Sequence, residues 1–246
     1  MPSLKDLKIK IFADGAEIKS MVEAYKQGIV KGFTTNPTLM RKNGISDYEA
    51  FSKEVLKNIP DRPISFEVFS DEFDEMENQA RKIASWGKNV NVKIPITNTR
   101  GKSSIPLIEK LSADGLSLNI TAILTVKQVE TVREVLNPNL YNIVSVFAGR
   151  IADTGRDPMP YMIESAKILK PLSKTDLLWA SSRELLNIFQ AEASGCQIIT
   201  VTNDILKKLT MLEKDLGELS LDTVKMFYED ACHAGFHIET QTAKKR

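Results

Sequence analysis

Cysteine is scarce in this chain: Cys196 and Cys232 are the only two among 246 residues, far apart and in neither a CxxC nor a zinc-ligand spacing. A disulfide framework is thereby excluded, and reduced thiols in the cytoplasm are the expectation. A surplus of charge of one sign is missing as well. Lys and Arg number 33 against 32 Asp and Glu, a formal net charge of +1, so no long-range field draws nucleic acid or an anionic membrane. No apolar run reaches the 18 residues a bilayer span needs, and Met1-Pro2-Ser3-Leu4-Lys5-Asp6 lacks the basic-then-apolar order of a secretory signal. A soluble protein with neither membrane nor nucleic-acid partner is expected. Residues 1–238 contain no Pro/Gly/Ser-rich linker and no shift of composition, which predicts one domain followed by a flexible polar tail over 239–246.

What the chain does have is alternation. Eight short apolar runs, Ile9 to Ala13, Ile29 to Phe33, Ile64 to Val68, Val90 to Ile94, Leu116 to Ile120, Ile143 to Phe147, Asp176 to Ala180 and Gln197 to Val201, are separated by helical patterns. The clearest of these carries Phe73, Met76, Ala80, Ile83 and Ala84 at steps of three and four, with Asp71 placed to cap it. Thr125 and Gln128 form a capping-box pattern before another. Eight runs that read as buried on both faces imply parallel strands joined by right-handed crossovers, and favour closure over an open sheet. The length, close to the roughly 250 residues typical of this architecture, agrees with an α/β fold, a (β/α)8 TIM barrel. One additional C-terminal helix is predicted from Leu221 to about His233, placed to cap the barrel or to pack on a neighbouring subunit.

Function in such a barrel sits where the strands end. The fourth run, Val90-Asn91-Val92-Lys93-Ile94-Pro95, alternates β-branched with polar residues and presents Lys93 on the face opposite Val92 and Ile94. A lone strand lysine is most often a solvated charge; its neighbours decide otherwise. Asp14, Asn36, Glu67, Asn119, Thr121 and Ser145 fall at the corresponding ends of other strands, so closure would bring them toward one axis with Lys93. A lysine walled in by apolar strands loses hydration, which disfavours its charged form and frees the amine to attack a ketone. Glu67 is a carboxylate candidate for activating water in that reaction.

Arg150, Ser181 and Arg183, at the ends of strands six and seven, supply two guanidinium groups and a hydroxyl suited to a phosphate. The plain alternatives are that Ser181-Ser182-Arg183-Glu184 is a capping box and that Arg150 pairs with Asp153 or Asp157. Other signals fall away. Gly101-Lys102-Ser103 lacks the glycine that a phosphate loop needs at position 96, which is Ile96. His233 and His237 enclose neither the glutamate of HExxH nor a third ligand, so no metal site is predicted. Met226, Phe227 and Tyr228 read as packing surface.

Phe12-Ala13-Asp14, Gly32-Phe33-Thr34-Thr35-Asn36-Pro37-Thr38, Val92-Lys93-Ile94-Pro95, Leu118-Asn119-Ile120-Thr121-Ala122, Ser145-Val146-Phe147-Ala148-Gly149-Arg150-Ile151 and Ala180-Ser181-Ser182-Arg183 resemble, in order and spacing, the signature segments of transaldolases. The resemblance implies a Schiff-base sugar-phosphate enzyme that transfers a dihydroxyacetone group from a ketose phosphate, such as fructose 6-phosphate or sedoheptulose 7-phosphate, to an aldose phosphate. It implies Lys93 as the imine-forming residue, Asp14 as acid/base, and Glu67 with Thr121 positioning a catalytic water. Asn36, Asn119 and Ser145 would hold the three-carbon fragment, Thr35 and Phe147 would join the substrate contacts, and Arg150, Ser181 and Arg183 would hold the phosphate. The protonated imine serves as electron sink, so no cofactor is implied, and a homo-oligomer is. A related branch, the fructose-6-phosphate aldolases, releases free dihydroxyacetone and typically carries Gln and Tyr where this chain has Glu67 and Phe147; transfer is therefore favoured. The alternatives are that aldolase chemistry, or a barrel that binds sugar phosphate without reacting.

Overall fold

A computed structural model describes residues 7–239; the N-terminal hexapeptide and, but for Glu239, the polar tail expected over 239–246 lie outside them. Eight strands, β1 (Lys10–Asp14), β2 (Gly32–Thr34), β3 (Ile64–Glu67), β4 (Val90–Pro95), β5 (Leu118–Ile123), β6 (Asn142–Val146), β7 (Thr175–Trp179) and β8 (Ile198–Thr202), pair in parallel in sequence order and close β1 on β8. Between them run α1 (Ile18–Gln27), α2 (Pro37–Lys42), α3 (Tyr48–Asn58), α4 (Phe73–Ala84), α5 (Ile105–Ala113), α6 (Val126–Val135), α7 (Ala148–Asp153), α8 (Met159–Leu169) and α9 (Leu186–Ala193). After β8 come α10 (Asn203–Lys207) and α11 (Leu216–His233). The expected (β/α)8 barrel with an additional C-terminal helix is what forms.

The two-residue period of the strands sorts their side chains into two cores. Ile11, Phe33, Phe66, Val92, Ile94, Ile120, Val144, Leu177 and Ile199 point outward and pack against the helices in one large cluster. Their inward neighbours do not share a chemistry. On β1 and β6 to β8, Phe12, Ile143, Leu178 and Ile198 form a small apolar plug inside the barrel. On β3 to β5 the inward residues include Ser65, Asn91, Lys93, Asn119 and Thr121, all buried, and the half-buried Glu67. The plug leaves no room for a side chain at Gly32, where a Cβ would stand 2.4 Å from the Phe12 ring. Each fully buried side chain of the apolar set contributes about 1.5–3 kcal/mol, which the polar set cannot match; its placement answers to something other than stability.

β3 and β4 start where the sequence reading places them, at Ile64 and Val90, and the other strand boundaries differ from it by one to three residues. β2 starts at Gly32, not Ile29, because Gly28 ends α1 in the left-handed region (φ 76°) and Ile29 remains 42% exposed. β5 runs on to Ile123 through a register shift after Ile120 that places Ala122 at φ 61°. The Thr125–Gln128 capping box forms as expected. Asp71, however, does not cap α4: Glu72 is the N-cap residue and its side chain makes no capping bond, while Asp71 accepts from the Thr99 backbone N–H at 2.7 Å and its hydroxyl at 2.8 Å. α11 begins five residues before the expected Leu221, because Asp215 accepts from Gly217 and Glu218 N–H and starts the helix despite the glycine. Among the described residues no helix is long and apolar enough to cross a membrane.

Candidate active site

The register of the barrel places the chemistry. Glu67 pairs with Lys93 across β3 and β4, and Lys93 with Asn119 across β4 and β5, so one inward row carries a carboxylate, an amine and an amide. Lys93 Nζ lies 2.9 Å from Glu67 Oε2 and donates to the Thr35 carbonyl at 2.9 Å; its residue is only 6% exposed. An ammonium removed from water needs such partners. A carboxylate in direct contact can also take and return the amine's proton.

Asp14 completes a three-residue ionisable cluster from the end of β1. Burial pushes its carboxyl above the usual range, the charge of Lys93 and the Thr34 hydrogen bond pull it down, and Glu67 adds a further rise. Thr34 donates to Asp14 Oδ1 at 2.8 Å, and Thr200 Oγ1 lies 2.6 Å from Thr34 Oγ1. These groups open on a cavity of about 480 Å³ at the carboxyl ends of the strands. Its wall includes Asp14, Asn36, Glu67, Lys93, Thr121, Ser145, Phe147, Arg150, Ser181 and Arg183, ten of the twelve residues singled out from sequence. Thr121 is 2% exposed, and its hydroxyl has no partner in the protein. A hydroxyl so placed on a cavity wall is free to bond a guest.

The two others sit differently. Thr35 gives the site its carbonyl; its own hydroxyl is buried away from the cavity without a partner. Asn119 lies one layer down, donating to Ser65 Oγ at 3.0 Å and accepting from Ser145 Oγ at 2.7 Å, so it orients Ser145. Asn36 lines the cavity but its amide oxygen caps α2 through the Leu39 N–H, leaving the amide NH2 for a ligand.

At the cationic end Arg150 stacks over the Phe147 ring, 5.7 Å from its centroid. The Asp153 pairing weighed as the plain alternative for Arg150 belongs instead to Arg183, whose Nε donates to Asp153 Oδ1 at 2.9 Å while its second nitrogen bonds the other oxygen; the guanidinium holds that carboxyl below the usual range. Ser181 to Glu184 form no capping box: the Arg183 and Glu184 N–H groups both donate to Asn187 Oδ1, and α9 starts later. Gly149 makes this end possible, since a Cβ there would fall 1.6 Å from the Ser181 carbonyl oxygen.

Sequence reasoning passed over Lys42, Thr200 and Tyr48. Lys42 brings a fourth cationic side chain to the cavity wall, after Lys93, Arg150 and Arg183, from the end of α2. Thr200 had a signal, the inward parity of β8, which no candidate from that strand used. Tyr48 had none. Because β2 ends at Thr34, the Glu67 backbone has no strand partner on that side, and the Tyr48 hydroxyl fills the gap, donating to the Glu67 carbonyl at 2.9 Å and accepting its N–H at 2.8 Å. His233 and His237 are exposed at the far C-terminus, and among the described residues no three potential ligands gather into a metal site.

A model of the family described as Transaldolase/Fructose-6-phosphate aldolase matches residues 11–245. A probable transaldolase of Dehalococcoides mccartyi is 36% identical over 202 residues, 82% of this chain and 90% of that protein. One of Thermoplasma volcanium is 36% identical over 204 residues, 82% and 87% of the two chains. Among solved structures, dihydrodipicolinate synthase from Rhodopseudomonas palustris superposes with a TM-score of 0.56 over 90% of this chain and 80% of its own; at 12% identity it shares the fold alone.

Proposed function

Because this chain belongs to the transaldolase/fructose-6-phosphate aldolase family, we propose that it transfers a dihydroxyacetone group from a ketose phosphate to an aldose phosphate through an imine on Lys93. The observation that carries this reading is the contact of a buried amine with a carboxylate on a cavity wall, Lys93 Nζ to Glu67 Oε2 at 2.9 Å. To attack the keto carbon the amine must be neutral, and Glu67 is the base in reach. Loss of water from the carbinolamine, with a proton returned from Glu67 and the water held at Thr121, leaves the imine. Asp14 then takes the proton of the hydroxyl on the far carbon of the bond to be broken, the carbon that becomes the departing aldehyde. The carbon–carbon bond cleaves, its electrons enter the protonated imine to give an enamine, and an aldehyde departs. The acceptor aldehyde reverses these steps. Ser145 and Asn36 hydrogen-bond the retained three-carbon unit, and Arg150, Ser181 and Arg183 bind the phosphate of donor and acceptor in turn.

The apolar face of α11 supports a homo-oligomer: none of its 18 residues is buried, and Leu221, Val224, Phe227 and Tyr228 are all exposed. Most helical stability in proteins comes from tertiary packing of an apolar face, so a second copy of the chain is the proposed cover. Glu67 and Phe147 on the cavity wall favour transfer over release. The deciding assay supplies fructose 6-phosphate with and without an aldose phosphate. Transfer requires the acceptor; free dihydroxyacetone accumulating at the same rate without it would establish the aldolase instead, and full biological effect of Lys93→Met would establish a barrel that only binds.

A further inference from the structure

Thr200 has no part in the steps above, yet its hydroxyl is committed at short range. A hydroxyl carries one proton and two lone pairs. Thr34 uses its proton on Asp14 Oδ1, so the 2.6 Å contact between Thr34 and Thr200 is filled by the proton of Thr200. The chain of bonds runs one way, from β8 through β2 to the carboxylate at the end of β1. It bridges over β1, which pairs with β2 on one side and β8 on the other. Thr200 is itself held: 5% exposed, it accepts the Ser182 hydroxyl on its carbonyl at 2.9 Å. No other hydrogen bond reaches Asp14 from a side chain of the described residues, so this bridge alone fixes the carboxylate plane against its neighbours Lys93 and Glu67.

We propose that Thr200 is a positioning residue for Asp14: it anchors the Thr34 hydroxyl, which holds Oδ1, so that Oδ2 stands free to take the proton of the substrate hydroxyl. This rests on the acid/base role given to Asp14 above. Oxygen atoms 2.6 Å apart are tolerated only because a proton lies between them. A methyl group in place of the Thr200 hydroxyl needs clearly more room (about 3.5 Å between heavy atoms), so valine displaces Thr34 and tilts Asp14. Asp14 acts in bond cleavage, after the imine exists, so the damage falls on one partial reaction.

The test measures two rates on the purified full-length protein: borohydride trapping of the imine from fructose 6-phosphate, and turnover with an aldose phosphate acceptor. Thr200→Val is expected to slow turnover about 10–100-fold, the cost of misplacing a reacting group, while trapping stays within twofold of the unaltered protein. Thr200→Ser, which restores the hydroxyl, is expected to recover most of the turnover. Should valine fail to fold, Thr200→Ala opens space instead of crowding it and is expected to show the same split. Unchanged turnover in the folded variants would overturn the inference, as would trapping and turnover falling together, the mark of general damage. Asp14→Asn separates the two levels. It is expected to trap without turning over; if it turns over normally, the role of Asp14 and this inference fall together, whereas if it is blocked and Thr200→Val is not, the inference alone falls.

Discussion

The mouth of the barrel and the helix α11 invert the usual placement of side chains. At the mouth, Lys93, Glu67 and Asp14 are crowded into the interior, Lys93 paired with Glu67 and Asp14 bonded by Thr34. On α11, Leu216 is 78% and Tyr228 71% exposed, and nothing within the described residues covers them. The first region is costly to the fold and complete in one chain. The second would contribute about 1.5–3 kcal/mol for each side chain fully buried, and is incomplete in one chain. On the proposed reading, the groups placed against stability serve the chemistry, and the apolar face left open is covered by a second copy of the chain.

That contrast is open to breakage from either side. The largest effect is expected from Lys93→Met, which should lower turnover at least about a thousandfold and leave the assembly state, read by light scattering, unchanged. Conversely, a double substitution of Phe227→Glu and Tyr228→Glu should shift the protein toward monomer in the same measurement. Retention of the oligomer would mean that α11 is not the contact.

Arg183→Ala should raise the Michaelis constant for phosphorylated sugars at least tenfold, since a charged hydrogen bond is worth about 1.5–3 kcal/mol and Asp153 is left without its neutralising partner. An unchanged constant would move the phosphate elsewhere. Asp14→Asn should sharpen the stability side. The carboxyl is raised in the folded chain, mainly by burial, so the ionised form opposes folding; the gain on removing it is present above the raised folded value and vanishes below the ordinary carboxyl range as pH falls. A rise in Tm of a few degrees at pH 8, at about 2–4 °C per kcal/mol, that disappears at pH 3 is the expected pattern in calorimetry. The smallest test uses thiols. Cys232, exposed on α11, should be alkylated readily by iodoacetamide in dilute solution, while Cys196, buried and with its thiol pushed up to about 12, should stay unmodified until the barrel unfolds.

Much of the mouth was legible because a strand has a period of two. Parity alone sends Lys93 inward with Asn91 and sends Val92 and Ile94 out, and closure of eight strands does the rest. Thr200 and Lys42 apart, what escaped was set by interruptions of that period. β2 is three residues long, so the wall beside Glu67 is closed by Tyr48 from a helix, which no strand pattern announces. The bulge in β5 brings Ala122 to the cavity wall beside Thr121, which alternation does not foresee. The partner of an arginine is equally invisible in sequence: Asp153 could have served Arg150 or Arg183, and only the approach of α7 to the end of β7 at Gly149 settles it.

The most direct measurement is the mass of the peptide containing Lys93 after borohydride is added during turnover of fructose 6-phosphate. The expected result is that peptide carrying the reduced three-carbon unit on the Lys93 amine, and no adduct on any other lysine. Turnover with Lys93 unmodified, or an adduct at another residue, would contradict the account.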